Sequence, residues 1–526
     1  MSDRMRMDVV VVGGGVAGLS CALRLAKRGG GKLSVLVMEK AAQAGGHLLS
    51  GAVMRTDGLR RLLGDADVAN LPWCETVKGE AFHALLPKGS LRLPFVPPKM
   101  RMTGLPMVEI SALGATLAEQ AATVGVEVVT AQTVDELIWE GDAVVGVRSE
   151  GEEIGAAQVV LAEGPAGLLT ADVMARHPEV RGANGQSYAL GIKELVEIPP
   201  DEARAGQVVH TFGWPVPIGL YGGGFVYHLD ATHVALGLAL ALDSHDAGLN
   251  VHDLFRRWKR HALVQSHVAG GKVTGYGARL IPEGGWYSLL HGDRVKGLRI
   301  IGDAAGWVDT MELKGLHLAV ESGMAAADAI LRELGGADGA ATASAEEEQI
   351  PSQEGLRRTK NYRAAFRGGM PVGVGMAGLA WMTRGVLPPG RWPQREERHA
   401  PHPMPEKRRR ALESAEAAGA ADAGPLDLGL DSDLFCARLK YREGEPGHIE
   451  LSDASACRQC LARYGAPCTR FCPAGVYARA PEGAATPILV HHENCLQCRT
   501  CTLKCPMDVL RWKTPVHGNG PDYRGM

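Results

Sequence analysis

Eight of the eleven cysteines lie between Cys457 and Cys505, in two sets of four. In the second set, Cys495, Cys498, Cys501 and Cys505 are followed by Pro506. Two residues between successive thiols let one short loop present three sulfurs to one inorganic cube, which neither a disulfide framework nor a lone zinc ion requires. The fourth ligand of such a cube commonly comes from a Cys-Pro pair elsewhere. Cys472-Pro473 supplies one, preceded by Cys457, Cys460 and Cys468. In the crossed pairing, Cys472 joins Cys495, Cys498 and Cys501 around one 4Fe-4S cluster, and Cys505 completes a second with Cys457, Cys460 and Cys468. Seven residues separate Cys460 from Cys468, a wider gap than the second set uses. Two other readings therefore stay open: one cluster plus a structural zinc on the remaining thiols, or one cluster plus free thiols. Disulfides are not expected, because Met1 to Asp8 is polar and runs straight into a strand without the look of a secretory signal.

A second constellation lies at the other end of the chain. Asp8 to Val12 has the composition of a buried parallel strand, and Gly13-Gly14-Gly15-Val16-Ala17-Gly18 follows at once, leading into small and apolar residues from Leu19 to Lys27. In such a strand-turn-helix unit Gly13 makes the tight turn and Gly15 lets backbone approach a pyrophosphate. Gly18 allows close helix packing, with the phosphates at the helix N-terminus. A second strand, Leu33 to Met38, ends at Glu39, 21 residues past Gly18, where a carboxylate can accept bonds from a ribose hydroxyl. The run reads as a dinucleotide site, not as a bare glycine turn in an α/β protein.

Further elements must position these groups. Gln158 to Ala162 is strand-like and ends in Glu163-Gly164; Leu298 to Ile301 ends in Gly302-Asp303-Ala304-Ala305-Gly306 before a long helical segment, His317 to Leu334. By itself Asp303 is more often a helix cap than a cofactor ligand. Together the two strand ends resemble the paired glycine motifs of glutathione-reductase-like flavoproteins, in which the Asp of the second motif holds the flavin ribityl chain. The expected dinucleotide is FAD. No second Gly-x-Gly-x-x-Gly follows another strand, so a separate nicotinamide site is not visible.

Over nearly its whole length the chain resembles the electron transfer flavoprotein:ubiquinone oxidoreductase family, in the bacterial branch related to the flavoproteins of nitrogen-fixation electron chains. The resemblance is carried by Glu39-Lys40-Ala41-Ala42 with Leu49-Ser50-Gly51-Ala52, by Tyr188 through Leu195, and by Gly213-Trp214-Pro215. It continues in Tyr221-Gly222-Gly223-Gly224-Phe225, Tyr227-His228-Leu229, Arg257-Trp258-Lys259, Tyr276-Gly277-Ala278-Arg279 and Glu283-Gly284-Gly285. The tail adds Arg470 through Tyr477, Glu493-Asn494-Cys495 and Gly520-Pro521-Asp522-Tyr523.

This likeness implies an α/β fold. A glutathione-reductase-like FAD-binding Rossmann domain over 1–335 would be interleaved with an α+β quinone domain at about 80–290, and a ferredoxin-like iron-sulfur domain would occupy 426–526. FAD contacts are implied at Gly13, Gly15, Gly18, Glu39, Lys40, Gly164, Gly302 and Asp303, and cluster ligands at Cys472, Cys495, Cys498 and Cys501. The quinone headgroup is implied to rest on Tyr221, Gly222 and Gly223, where glycine backbone can press on a flat ring. Without that context Tyr221 reads as a core aromatic beside a turn. The chain departs from the family pattern in three places. Cys505 stands where single-cluster members commonly have Asp; Cys457, Cys460 and Cys468 are additional; Asp303 occupies a site where the mitochondrial branch is not acidic.

At 526 residues, with 45% hydrophobic and 22% charged residues, the chain can bury two or three ordinary cores. A net charge of −3 leaves no nucleic-acid footprint. Arg408-Arg409-Arg410 reads as solvated linker or lipid-headgroup contact. Gly335 to Gln353 and Gln394 to Gly424 have linker composition, within a connecting region at 336–425. Between them Gly368 to Leu387 is apolar apart from Thr383 and Arg384. Its uncharged core of about 15 residues falls short of the ~20 that span a bilayer as a helix. It is expected to lie in the membrane interface with Trp381 and Arg384 near the headgroups. The alternative is a buried helix of the main domain, and the resemblance favours lipid because the family dips a matching segment into it. The expected location is peripheral or monotopic, on the cytoplasmic face of a bacterial inner membrane.

The expected activity is electron transfer from reduced electron transfer flavoprotein, through 4Fe-4S and FAD, to ubiquinone or menaquinone, with no side chain acting as a covalent nucleophile. His47, His210 and His228 lack ligand spacing and read as ordinary hydrogen-bonded histidines. Two other oxidoreductase readings share the flavin domain: a geranylgeranyl-reductase-like enzyme, against which the cysteine tail argues, and a flavoprotein-ferredoxin subunit of an electron-bifurcating complex. A non-enzymatic adaptor on a dead flavin fold is disfavoured by the complete set Gly13, Gly15, Gly18 and Glu39.

Overall fold

The computed structural model describes residues 5–49, 51, 53–340, 350–394, 401–417, 429–481 and 483–526. Ser50 and Ala52 of the quoted motif, residues 1–4, and parts of both linker segments (341–349, 395–400 and 418–424) lie outside the described residues.

Val9, Val10 and Val11 are fully buried on the strand Met5–Val12, at the centre of a seven-stranded sheet. A strand covered on both faces becomes a continuous β-branched run because no position on it meets water. Alternate residues serve opposite cores. Val9 and Val11 pack with helices Val16–Gly29, Ile110–Thr123 and Leu316–Ala340, and Val10 and Val12 pack with Val144, Val147 and Leu298 on the other side. Across the sheet lie Glu127–Val129, Val35–Met38, Met5–Val12 and Glu152–Leu161, all parallel, with Leu298–Ile300 parallel to the end of Glu152–Leu161. The start of that long strand pairs instead with antiparallel Ala143–Ser149, which pairs in turn with Glu136–Glu140. The C-terminal ends of the parallel strands carry the Gly13 turn, Glu39, Glu163-Gly164 and Gly302-Asp303, the edge where open α/β sheets bind ligands.

A second seven-stranded sheet runs Lys272–Pro282, Tyr188–Glu197, His233–Ala241, Gly222–His228, Gln207–Gly213, Gly79–Leu85 and Ser90–Arg92. It is antiparallel except where Gln207–Gly213 meets Gly79–Leu85. Its strands come from 79–92 and 188–282, and the chain between them returns to the flavin-side sheet. Its core includes a buried ion pair, Lys259 Nζ to Glu194 Oε1 at 2.6 Å.

The cysteine tail has two small ribbons, Ile449–Leu451 with Leu510–Trp512 and Tyr477–Arg479 with Ile488–Val490. It is not a tethered module. Phe471, Val476, Cys495, Leu496 and Cys501 share one core with Leu238, Phe255, Trp258 and Tyr276 of the second sheet and its helix.

Two local expectations change, and one alternative falls. The helical segment after Asp303 extends from Leu316 to Ala340, into the stretch read as linker. Glu406–Ala417, inside the second linker, is also a helix. Glu, Lys, Arg and Ala favour helix without any apolar periodicity, and this one is anchored by Arg408 to Asp246 at 2.7 Å and by the one-turn pair Arg410–Glu406. Arg409 also reaches the Ala462 carbonyl, while the Arg408 and Arg410 side chains stay more than half exposed to solvent. Finally, the apolar segment is not a buried helix of the main domain. Met370–Met382 is helical with only Gly373 buried, and Val374, Met382 and Val386 are 58%, 68% and 70% exposed. Among the described residues no helix is long and apolar enough to cross a membrane.

Candidate functional site

The two sheets and the cysteine tail enclose a cavity of about 620 Å³, within the range of ligand pockets. Of the residues expected at a cofactor, Gly13, Gly15, Glu39, Lys40, Gly164 and Asp303 line it, as do Tyr221, Gly222 and Gly223. Gly18 and Gly302 stand behind the wall. A Cβ on Gly18 would strike the Gly13 carbonyl oxygen, and one on Gly302 would come within 2.7 Å of the Ala17 Cβ.

The wall fits a dinucleotide. Gly13 has φ +109°, and a Cβ there would collide with the Ala162 carbonyl oxygen, so the turn admits glycine alone. Gly15 precedes the helix Val16–Gly29 in extended conformation, and neither a side-chain cap nor an acidic first-turn residue occupies its opening amides. Those N–H groups point an unspent positive end at the cavity. The Glu39 carboxylate is held rigidly, accepting from Gly14 N at 2.7 Å and Ala41 N at 2.8 Å. Desolvation pushes the Asp303 carboxyl up to about 6, with Arg279 opposing the shift. Three buried nitrogens on residues of the wall, Arg499 Nε, His47 Nδ1 and His210 Nδ1, have no protein partner; a polar ligand would satisfy those that face it.

The Cys498 loop forms part of the same wall. Gln497 and Arg499, either side of Cys498, line the cavity, and Lys40 Nζ donates to Gln497 Oε1 at 2.8 Å, tying the flavin-side turn to the cysteine loop. Donors are already aimed at the sulfurs. Gln497 N lies 3.3 Å from Cys495 Sγ, and Trp512 Nε1 lies 3.2 Å from Cys501 Sγ. Burial, then the neighbouring thiols, push Cys472 up to about 12. Burial likewise pushes Cys501 up to about 11. Iron would offset that cost, and the N–H donors suit metal-bound thiolates. Each cysteine of a cube binds a different iron, so its thiols need not converge. Among the described residues no three His, Cys, Asp or Glu come together as ligands of a single ion.

Tyr221 is half-buried because one side of it faces the cavity. Its hydroxyl lies 3.4 Å from that of Tyr362, the Arg363 guanidinium stands 4.8 Å from its ring centroid, and Phe366 packs at 4.7 Å. Arg363 is clamped by Glu283 at 2.9 Å and Asp243 at 2.7 Å. Desolvation pushes the Tyr221 phenol well above its ordinary value and Tyr362 to about 12, so both are neutral hydrogen-bond donors near pH 7. The sheet supplies its own reason for the glycines beside Tyr221. A Cβ on Gly222 would meet the Ala239 carbonyl oxygen at 2.6 Å, and one on Gly223 the Thr211 carbonyl oxygen at 2.5 Å.

Sequence reasoning missed His47, Lys193, Arg279, Tyr362, Gln497 and Arg499 as cavity residues. Arg279 and the Cys498 neighbours lay inside quoted motifs and could have been proposed from them. Tyr362 lay in a stretch with no motif at all. His210 bonds Tyr227 Oη at 3.0 Å and His228 bonds His267 Nδ1 at 2.9 Å, as ordinary hydrogen-bonded histidines do.

Comparison with known proteins follows the same division. Residues 7–188 match the pyridine nucleotide-disulphide oxidoreductase family, 188–281 match "ETF-QO, ubiquinone-binding", and 425–524 match "Electron transfer flavoprotein-ubiquinone oxidoreductase, 4Fe-4S". A Rossmann flavin domain joined to a cysteine-ligated cluster domain at one cavity defines an iron-sulfur flavoprotein. The electron transfer flavoprotein-ubiquinone oxidoreductase of Pseudomonas aeruginosa is 32% identical over 100% of this chain and 100% of its own. The mitochondrial protein of that name from Caenorhabditis elegans is 32% identical over 99% of this chain and 92% of its own, and the one from Mus musculus 31% over 99% and 89%. This chain belongs to the electron transfer flavoprotein-ubiquinone oxidoreductase family. Among solved structures, a geranylgeranyl bacteriochlorophyll reductase-like protein from Thermoplasma acidophilum superposes with TM-score 0.52 at 19% identity, over 73% of this chain and 89% of its own. A flavin-dependent brominase variant superposes with TM-score 0.51 at 20% identity, over 72% and 94%. These two likenesses concern the fold alone.

Proposed function

We propose that this chain oxidises reduced electron transfer flavoprotein and reduces a membrane quinone, ubiquinone or menaquinone. The observation that carries the reading is the shared cavity, lined together by the Gly13 turn, the Cys498 loop and the Tyr221 group. When bound, a 4Fe-4S cluster supplies one-electron chemistry and FAD couples it to two-electron reduction of the quinone.

The chain's own residues bind, orient and hydrogen-bond. Cys472, Cys495, Cys498 and Cys501 hold the cluster. Gly13 to Gly15 and the amides opening the Val16 helix hold the pyrophosphate, Glu39 and Lys40 the adenosine side, and Gly164 and Asp303 the flavin side, with Gly18 and Gly302 keeping helix and turn close. Lys40 fixes the Cys498 loop through Gln497. Tyr221 and Tyr362 donate to quinone oxygens over the Gly222-Gly223 strand. Arg363, held by Glu283 and Asp243, keeps the Tyr221 ring in place.

The exposed apolar helix Met370–Met382 places Met370 and Val374 in the cavity wall. A helix apolar on all sides and left uncovered is stable against lipid. It gives a quinone tail a route from a membrane surface, with the protein lying peripherally or monotopically on the cytoplasmic face of a bacterial inner membrane.

The test is quinone reduction by purified FAD-loaded protein supplied with reduced electron transfer flavoprotein. Cys498→Ala is expected to abolish donor-linked quinone reduction while the bound-flavin spectrum persists. Full donor-linked activity in that variant would refute the cluster assignment. Activity that instead requires a nicotinamide and co-purifying subunits would favour the bifurcating-complex reading.

A further inference from the structure

The assigned cluster leaves four tail thiols unused. Cys457 and Cys460 sit on the helix Ala454–Tyr464, which is started by Asp453 accepting from the Ser455 and Ala456 amides. Three residues apart, they share a helix face. Both are buried, whereas Arg458, Gln459, Ala462 and Arg463 on the remaining faces are exposed. Gly465 and Ala466 then take positive φ, +70° and +55°, and turn the chain into the helix Cys468–Phe471.

That short helix packs on another, Thr500–Lys504. Each holds one cysteine and is followed at once by a second in extended backbone, Cys468 then Cys472 and Cys501 then Cys505. Each helix and the residue after it therefore supply one thiol to each of two neighbouring places. Seven of the eight thiols, all but Cys460, lie in or against one packed core, and Cys460 is buried one turn along the same helix from Cys457. This packing brings the two sets of cysteines together in a way that suits a pairing across the order of the chain. None of the eight is in a disulfide. Lys504, adjacent to Cys505, is turned onto the carbonyl oxygens of Leu242 and Ser244.

We propose that Cys457, Cys460, Cys468 and Cys505 hold a second 4Fe-4S cluster. The run Cys495-x2-Cys498-x2-Cys501-x3-Cys505-Pro506 is the type whose fourth cysteine ligates the other cluster in two-cluster ferredoxins. The site lies under the exposed faces of the Ala454–Tyr464 helix and beside the ligands of the first cluster. It is a one-electron relay: the reduced donor flavoprotein loses one electron to it, the first cluster receives that electron, and no bond is made or broken. This goes beyond the proposed activity, which one cluster suffices to support.

Full-length protein purified anaerobically with its FAD is assayed for iron, acid-labile sulfide and zinc, and reduced samples are examined by electron paramagnetic resonance. The expected result is about eight iron and eight sulfide per FAD, two cubes' worth, with the spectrum of two interacting spins. Cys460→Ser and Cys505→Asp are each expected to halve iron and sulfide, keep FAD, and leave a simple uncoupled signal. Four iron per FAD in the unaltered protein, with zinc or four alkylatable thiols making up the rest, overturns the proposal without touching the donor-to-quinone activity. A coupled signal that survives both substitutions overturns it too.

Discussion

Desolvation lifts the Asp303 carboxyl from its ordinary 3.8 to about 6, with Arg279 pulling the other way. Between those values the folded, flavin-free chain holds a proton that the unfolded chain has lost, so this group makes stability fall as pH rises through that window. Asn imitates the protonated form. Asp303→Asn is therefore expected to raise the Tm of flavin-free protein at pH 7.5, to lose that gain below pH 4, and to weaken FAD retention; calorimetry at the two pH values checks it, and an equal gain at both would sink the assignment. Tyr221 offers a separate test at this scale. Removing one neutral hydrogen bond costs about 0.5–1.5 kcal/mol, roughly two- to tenfold in a binding constant. Tyr221→Phe should raise the apparent KM for quinone by that factor while flavin reduction by the donor is unchanged; steady-state kinetics with varied quinone would show it, and an unchanged KM counts against the pocket.

At the level of elements, the strand Gly222–His228 is closely packed near the site. A Cβ on Gly224 would run into the Trp258 indole, which cannot swing away because its Nε1 donates to Thr211 Oγ1 at 2.8 Å and it is 1% exposed. Overpacking of a rigid core costs about 1–3 kcal/mol. Gly224→Ala should lower unfolding stability by that amount in denaturant titration. Wild-type stability would mean that the Trp258 helix moves freely. Because this core is continuous with Phe471, Val476 and Cys501, the loss should register in the transition of the cysteine tail as well as in that of the sheet.

For the whole molecule, the question is how three parts meet at one cavity. The chain's end returns to the flavin side: Gly518 N donates to the Lys40 carbonyl at 2.9 Å, Tyr523 N to the Gly46 carbonyl at 2.8 Å, and the Tyr523 ring is fully buried. On the opposite account, the helix Met370–Met382 leaves Met382 and nearby Val386 in the open. A fully buried aliphatic side chain contributes about 1.5–3 kcal/mol, so two that insert into lipid matter. Met382→Glu with Val386→Glu should weaken binding to anionic phospholipid vesicles by at least tenfold in sedimentation, while reduction of a short-tailed, water-soluble quinone stays near wild type. Undiminished vesicle binding would remove this helix from the membrane contact.

What the sequence by itself determined was chemistry held within a few consecutive residues. The Gly13 turn, Glu39 at the end of the next strand and the Cys495-to-Cys505 run are legible because one turn or one helix sets their geometry, whatever the remainder of the chain does. The exposed side of the apolar segment and the helix Glu406–Ala417 hidden in linker composition are different. So are the placements of His47, Arg279, Tyr362 and Arg499 around one cavity. Those residues are hundreds of positions apart, and no spacing rule links them. Only the packing of two sheets and the tail against one another decides which of them face the same space, because burial and close approach are properties of the assembled core and not of any one stretch of chain.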